Sequence, residues 1–419
     1  MNSEDRSNDD FRRNRAEEAC RTQGNPSHGM KVFGVTGTKG KTTVAFLLEH
    51  CLRACGERAA LMGTVENRFE NWREPALLTT PGADELQALL ARFRDGGATA
   101  VAMEISSHGL DQFRPWGVRF AGALFTNLTH DHLDYHGTME SYFAAKCRLF
   151  LDYDCAVRAI HLQQPWGHRL AQACRKKKLS VITTGAADAD VEYGALALTA
   201  QGLRGALTWN HKGRAVKIPV ESPLLGSFNA QNLAVVVAAL LGAGKSPEQL
   251  ATAISTFPGV PGRMEPITTP GEHPFTVLVD YAHTPDALEN ALTTLRPLTK
   301  ESLRVVFGCG GDRDRGKRPV MGAIAERLAD EVWITSDNPR MEEPGAIMAE
   351  IVSGLKNRPR ANVEPDRALA IQNAVAACRP GDLLLIAGKG HEDYQIIGAE
   401  KRPFDDRLVA AAALRGLER

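Results

Sequence analysis

The 419 residues are 43% hydrophobic and 24% charged, the balance of a globular chain rather than a disordered or fibrous one. Lys+Arg and Asp+Glu each number 50 and aromatic residues make up 6%, which gives no support to nucleic acid or an anionic membrane as a partner. The length predicts two or three domains.

Residues 1–30 mix both charges without an apolar core, so they are no signal peptide and read as a flexible polar tail. From Lys31, short apolar strands alternate with amphipathic helices: "MKVFGVTG", a helix from Thr42 to Cys55, "RAALMG", the helix "ADELQALLARFRDGG", then "ATAVAMEI" and "FAGALFTNL". That alternation predicts a parallel sheet covered by helices on both faces. A less regular stretch over 155–222 has period-2 alternation and reads as a β-hairpin side sheet, closed by a helix over 229–243. "LAVVVAALLGAG", from Leu233, is too short to cross a bilayer and reads as a buried helix. "FPGVPGRMEPI", from Phe257, is the linker candidate. The α/β pattern then restarts with "FTVLVDYA", helices from Pro285 and Pro319, "LRVVFGCGG", "EVWITSD" and "DLLLIAGKG". The expected organisation is α/β throughout: a central parallel-sheet domain over 31–261 and a doubly wound domain over 262–419. Eight cysteines (20, 51, 55, 147, 155, 174, 309, 378) contain no CxxC pair, which suits reduced thiols in a cytoplasm rather than disulfides or zinc.

"VTGTKGKTT" (35–43) follows a strand and opens a helix. Backbone N–H groups of such a glycine turn cradle phosphates, with Lys41 reaching them and the Thr42 hydroxyl facing a metal. Val35 stands where the strict motif has its first glycine, so Gly37 and Gly40 make a tighter G-x-x-G-K-T loop. The bland alternative is a glycine-rich strand–helix turn, but the strand before and the helix after are what a phosphate loop demands. Glu104 ends a buried strand, where a carboxylate faces the nucleotide crevice and would hold Mg²⁺. "HDHLDYH" crowds His130, His132 and His136 together. A magnesium–nucleotide site accounts for one of them, with zinc as the lesser alternative. Lys146 reads from its residue type as a solvated helix lysine.

In order along the chain, "GVTGTKGKTT", "MEISSHGLDQFR", "TNLTHDHLDYHGTMESYFAAK", "LLGSFNAQNL", "GRME", "DYAHTPDAL", "FGCGGDRDRGKRPVMG", "TSDNPR" and "GKGHEDYQ" resemble the Mur ligases of peptidoglycan synthesis, nearest to their diaminopimelate-adding branch. The resemblance implies a P-loop ATPase domain followed by a Rossmann-like amino-acid-binding domain. It also implies an ATP- and Mg²⁺-dependent, ADP-forming reaction: a carboxylate becomes an acyl phosphate, which an amine then attacks. That chemistry needs positioned cations and a water-excluding site. By resemblance, Gly37, Thr38, Lys39, Gly40, Lys41, Thr42 and Thr43 hold the phosphates, and Thr42, Glu104, His132 and Lys146 serve the metals, Lys146 as a carbamate. Asn229, Asn232, Arg263, Asp280 and His283 match positions around the nucleotide and the domain junction. Thr79, Thr80, Ser106, Gln112 and Arg114 match acceptor-holding positions, although the threonines could instead cap the helix before "PGADELQ". Arg313, Asp337, Asn338, Arg340, Gly388 and Glu392 match the amino-acid reader. An arginine fork for the far carboxylate of diaminopimelate, with Glu392 for its ammonium, makes chemical sense; a surface ion pair is the plain alternative for Arg340.

Members of the family usually carry a UDP-binding domain before the phosphate loop, whereas only about 30 residues precede it here, and Lys39 replaces a common asparagine. Three explanations compete: a smaller, UDP-free peptide or γ-glutamyl-type acceptor, a partner subunit that supplies the domain, or a chain that is part of a longer one. The first is the favoured expectation, for a monomer working on small molecules. A non-catalytic scaffold would have lost Lys41, Glu104, His132 or Lys146, and an unrelated P-loop enzyme leaves the second domain without a purpose.

Overall fold

After Lys31 the first strand reads Val-Phe-Gly-Val-Thr, and β1 (Lys31–Thr36) is buried at every residue beyond its first. Only a strand covered on both faces tolerates that pattern. The computed structural model describes residues 3–162, 165–199, 202–271, 273–356 and 361–417; residues 1–2 and 418–419, at the ends of the two outer expected segments, lie outside them. The chain forms two compact units, Met1–Pro258 and Gly259–Arg419.

In the first unit, α1 (Ser3–Thr22) precedes β1, and α2 (Lys41–Ala54), β2 (Ala59–Met62), β3 (Glu66–Phe69), β4 (Trp72–Pro75), α3 (Ala83–Asp95) and β5 (Ala100–Glu104) follow it. Next come α4 (Ser107–Asp111), β6 (Phe120–Phe125), α5 (Leu133–His136), α6 (Met139–Leu151), β7 (Cys155–His161), α7 (Pro165–Lys176) and β8 (Ile182–Gly185). β9 (Val191–Glu192), β10 (Ala197–Thr199), β11 (Gly202–His211), β12 (Arg214–Ser222), α8 (Ser227–Gly242) and α9 (Pro247–Ser255) complete it. The sheet runs β10-β11-β9-β8-β7-β6-β1-β5-β2-β3-β4, with β12 paired to β11. From β9 to β2 the pairs are parallel; the β3–β4 meander and the β11–β12 hairpin add antiparallel edges. The stretch over 155–222 is therefore not a separate side sheet. β7, α7 and β8 continue the parallel pattern, and the hairpin joins the same sheet through β9. In α8, every residue from Leu233 to Leu240 is at most 1% exposed, so a helix apolar all round is a core helix.

The expected N-terminal tail is a helix instead. Ala16, Ala19 and Cys20 recur at helical spacing and are buried, which gives a polar segment one apolar stripe to pack. Arg15 donates two hydrogen bonds to Asp84 on α3, at 3.0 and 2.7 Å, and Glu17 accepts from Trp116 Nε1 at 2.9 Å. Composition could not show this, because the docking surface comes from residues about 70–100 positions away.

The second unit contains β13 (Glu265–Pro266), β14 (Thr276–Asp280), α10 (Pro285–Leu295), β15 (Leu303–Phe307), α11 (Lys317–Leu328), β16 (Glu331–Ile334) and α12 (Pro344–Ser353). β17 (Ala361–Val363), α13 (Arg367–Ala376), β18 (Leu383–Ala387), β19 (Tyr394–Ile397), β20 (Glu400–Pro403) and α14 (Asp406–Leu417) follow. Its main sheet has the order β13-β14-β18-β15-β16-β17, parallel except at β13. α11 begins before Pro319, which the first turn of a helix accommodates because its N–H groups have no intrahelical acceptor. Among the described residues no helix is long and apolar enough to cross a membrane, and all eight cysteines are free thiols.

Candidate active site

Parallel strands deliver their C-terminal ends to one edge, and the loop after β1 lies there beside the end of β5, where Val35 is in register with Glu104. A Cβ on Gly37 would collide with Thr126 Oγ1, and one on Gly40 would come 2.5 Å from Asn232 Oδ1. Gly40 also adopts φ 86° immediately before α2, so the backbone enters that helix through a conformation glycine favours. The loop is tied from outside. Thr38 Oγ1 lies 3.1 Å from Tyr142 OH and accepts from Thr129 N at 3.0 Å. Lys39 N donates to Asn127 Oδ1 at 2.9 Å, and Lys39 O accepts from Thr126 Oγ1 at 2.7 Å. Thr43 is buried in the first turn of α2. Asn229 and Asn232, in the opening turns of α8, are buried and bonded to each other at 2.9 Å, with Asn232 against Gly40.

Two ammonium groups converge on one carbonyl. Gly37 O accepts from Lys41 Nζ at 2.9 Å and from Lys146 Nζ at 2.8 Å. Lys146 is 1% exposed and is no solvated lysine, so its reading from residue type is corrected. Burial, reinforced by the Lys41 charge and opposed by Asp131, holds its pKa well below the ordinary lysine value.

Thr42 Oγ1 donates to Glu104 Oε2 at 3.1 Å, and Thr64 donates to the same carboxylate through its N–H (2.8 Å) and its hydroxyl (3.0 Å). A threonine hydroxyl and a buried carboxylate at the mouth of a phosphate loop are oxygen donors of the kind Mg²⁺ takes. His132 is not joined to them. Its side chain is 45% exposed, with φ 52°, Asp131 3.7 Å away and its ring edge-on to His108 at 5.0 Å. His136 Nε2 lies 2.9 Å from Ser107 Oγ, and burial lowers the pKa of both His108 and His136. Among the described residues no group of three or more His, Cys, Asp or Glu side chains is gathered to hold a metal, so His130, His132 and His136 are not arranged as a metal-ligand set; His132 and His136 instead pack against the His108 and Tyr142 rings.

The acceptor candidates form one chain of contacts that begins at Glu104. Thr80 Oγ1 donates to Glu104 O at 3.1 Å and accepts from Ser106 N at 2.9 Å. Arg114 donates to Thr80 O at 2.6 Å and through Nε and Nη2 to Gln112 Oε1 at 3.0 and 2.7 Å. Thr79 Oγ1 lies 3.0 Å from Thr64 Oγ1. Neither threonine caps α3: its N-cap is Gly82, without a side-chain bond. Ser106, by contrast, caps α4 by accepting from Gly109 N at 3.0 Å.

In the second unit, Asn338 Nδ2 donates to Glu392 Oε2 at 3.0 Å, and Lys389 Nζ donates to Asn338 Oδ1 and Glu392 Oε2 at 3.1 and 3.2 Å. A Cβ on Gly388 would come 2.7 Å from Asp337 Oδ2, whose residue is buried beside Asn338. Arg340, at φ 52°, donates to Gly311 O at 2.8 Å and makes no ion pair among the described residues, which removes the surface-pair alternative. Among the described residues Arg313 donates only to its neighbour's carbonyl, Asp312 O, at 3.1 Å. Asp280 is buried with backbone N–H groups of Met264 (2.8 Å) and Ala282 (2.9 Å) on its two oxygens; burial raises its pKa while Arg263 opposes. Arg263 lies over the Tyr281 ring, and His283 Nδ1 is 2.8 Å from Tyr281 O. Sequence reasoning passed over Thr64, Asn127 and Lys389. Only Lys389 carried a signal, as a lysine between two glycines directly after an apolar strand.

A phosphate loop beside a Thr–Glu pair at parallel strand ends defines a P-loop enzyme that handles the phosphates of ATP. The Mur ligase middle domain matches residues 35–240, and the Mur ligase glutamate ligase domain matches residues 262–390. This chain belongs to the Mur ligase family and is an ATP-dependent, amide-bond-forming ligase. It is 49% identical over 401 residues to UDP-N-acetylmuramoyl-L-alanyl-D-glutamate–2,6-diaminopimelate ligase of Prochlorococcus marinus (strain MIT 9313), covering 93% of this chain and 78% of that protein. To the protein of the same name in Synechococcus sp. (strain WH7803) it is 51% identical over 399 residues, with the same coverage. A solved structure of a ligase so named superposes at a TM-score of 0.69 with 36% identity, over 93% of this chain and 79% of that one. Folylpolyglutamate synthase of Mycobacterium tuberculosis also gives 0.69, at 18% identity over 97% and 95% of the two chains, a likeness of fold alone.

Proposed function

We propose that this chain joins 2,6-diaminopimelate to a glutamyl carboxylate of UDP-N-acetylmuramoyl-L-alanyl-D-glutamate at the expense of ATP. The observation that carries this reading is the continuous path from phosphate loop to acceptor residues: Lys41 and Lys146 on Gly37 O, Thr42 and Thr64 on Glu104, and Thr80 and Arg114 beyond it. The expectation of a smaller, UDP-free acceptor gives way here, because relatives 49–51% identical bear the nucleotide-linked name.

In this reading the amides of the loop and the Lys41 ammonium hold the phosphates, while Thr42 and Glu104 hold Mg²⁺, which when bound neutralises charge on the transferring phosphoryl group. Arg114 and Gln112 orient the acceptor, so that its carboxylate meets the phosphate rather than water. Lys146, whose pKa is lowered by burial and by the Lys41 charge, is suited to add CO₂ at Nζ through its deprotonated amine, with loss of one proton overall. The resulting carbamate would be an anion beside Lys41 in place of a second cation. In the second unit Arg340 would pair the far carboxylate of diaminopimelate, with Asn338 and Glu392 taking its polar groups.

The test is ADP-linked turnover of the purified protein with meso-diaminopimelate, comparing the UDP-linked acceptor with UDP-free L-Ala-D-Glu. Turnover on the UDP-linked acceptor is the expected result. Turnover confined to UDP-free acceptors would overturn the choice of acceptor, and none on either would overturn the reading.

A further inference from the structure

We propose that Arg13, on the N-terminal helix, is a positioning residue for the acceptor: its guanidinium clamps the Phe113 ring and so fixes the turn that carries Gln112 and Arg114. The inference rests on the acceptor reading above and extends it to α1, a segment to which neither sequence nor family assigned a part.

Phe113 is a bulky residue at φ 54°, in the left-handed region, with its side chain fully buried. Such a conformation persists only where its surroundings over-determine it. Two guanidinium groups supply that constraint: Arg13 and Arg148 each lie 4.4 Å from the Phe113 ring centroid. Arg148 has other employment, since it donates to Asp111 O at 3.1 Å and lies 3.5 Å from Asp111 Oδ1. Arg13 has none. Among the described residues it makes no ion pair and no side-chain hydrogen bond, and its Nε is buried without a partner. It lies over the Phe113 ring and, at 4.9 Å, the Trp116 ring, with the buried Tyr153 phenol within reach of its charge. With no hydrogen-bond acceptor holding Nε, the ring faces are what hold this guanidinium in place. Trp116 is fixed in turn, edge-on to Phe113 at 5.7 Å and bonded to Glu17 on α1. Gln112 and Arg114 flank Phe113, and Gln112 Oε1 receives both the Nε and the Nη2 of Arg114. Releasing Phe113 to an ordinary backbone conformation would swing these two side chains apart.

The experiment uses the full chain with Arg13→Ala and Arg13→Lys, reading Michaelis constants and amide hydrogen exchange together. Arg13→Ala should raise the acceptor KM about tenfold while the KM for ATP stays within about twofold of wild type. The amides of Gln112, Arg114 and Trp116, bonded to His108 O, Gly109 O and Phe113 O, should exchange faster, and those opening α2 should not. Arg13→Lys should recover part of both effects, since an ammonium over the ring keeps the cation–π contact. An unchanged acceptor KM with unchanged exchange would overturn the proposal. So would a loss shared equally by the acceptor and ATP, which marks general destabilisation. If the wild-type protein turns over neither acceptor, the functional reading fails by itself, and the exchange data still decide whether Arg13 holds the turn.

Discussion

Lys146 in the first unit and Arg367 in the second are both buried cations, and their surroundings treat them oppositely. Arg367 is fully enclosed with Asp406, which accepts at 2.7 and 2.6 Å, while Ser336 O and Ala387 O take further donors. Lys146 has one carbonyl, the face of the Tyr142 ring at 4.6 Å, no carboxylate at ion-pair distance among the described residues, and the Lys41 ammonium on the same acceptor. Desolvation is offset by a carboxylate in the first case and only by a carbonyl and a ring face in the second. A fully compensated charge holds elements together. A buried charge without a carboxylate is a group whose protonation can change.

The sharpest way to break that contrast is Lys41→Ala, which should lower ADP formation by about 10³-fold or more; phosphate release at the wild-type rate would remove the phosphate loop from the chemistry. Arg367→Ala should cost about 3–5 kcal/mol of stability in denaturant unfolding, because Asp406 is left buried without its partner. A change under about 1 kcal/mol would mean water reaches the pair. Lys146→Ala should lower turnover about 10²-fold with unfolding unchanged, and short carboxylates should restore part of it. No rescue of a folded variant would count against the carbamate. Arg340→Ala should weaken diaminopimelate recognition by at least about 2 kcal/mol, read in its KM, with the KM for ATP unmoved. The smallest effect concerns pH. Burial, with Arg263 and Arg407 beside it and Asp393 opposing, lowers the pKa of His391 from 6.5 to about 4. The unfolded chain therefore takes up this proton first. Stability present above about pH 6.5 should drain away as the pH falls towards 4, and His391→Gln should flatten that part of the curve.

How much of the site was legible varies with how locally each feature is built. The turn of Gly37, Gly40, Lys41 and Thr42 between strand and helix was readable because it is a short run of backbone whose glycines and lysine lie close together in sequence. Glu104 was readable as a carboxylate ending an apolar strand. Thr64, three-pointed with Thr42 on Glu104, was invisible, since an isolated threonine after a short strand carries no signal. The N-terminal segment was misread for the same reason: its polar composition is real, but the stripe of Ala16, Ala19 and Cys20 counts only against a surface built elsewhere.

By itself the sequence determined the two α/β units, the buried parallel strands, the phosphate loop and, through its ordered motifs, the family. Those features follow from hydrophobic period and from glycine and proline stereochemistry, which act over a few residues. The tertiary structure alone decided what the charges do. Lys146 meets Gly37 O across 109 positions, and Thr42 meets Glu104 across 62. Lys146 and Lys41 share one carbonyl while Arg367 receives a carboxylate, and Phe113 is held in a strained turn between two arginines. Desolvation and pairing depend on what distant elements bring to the same point, and no local pattern encodes that.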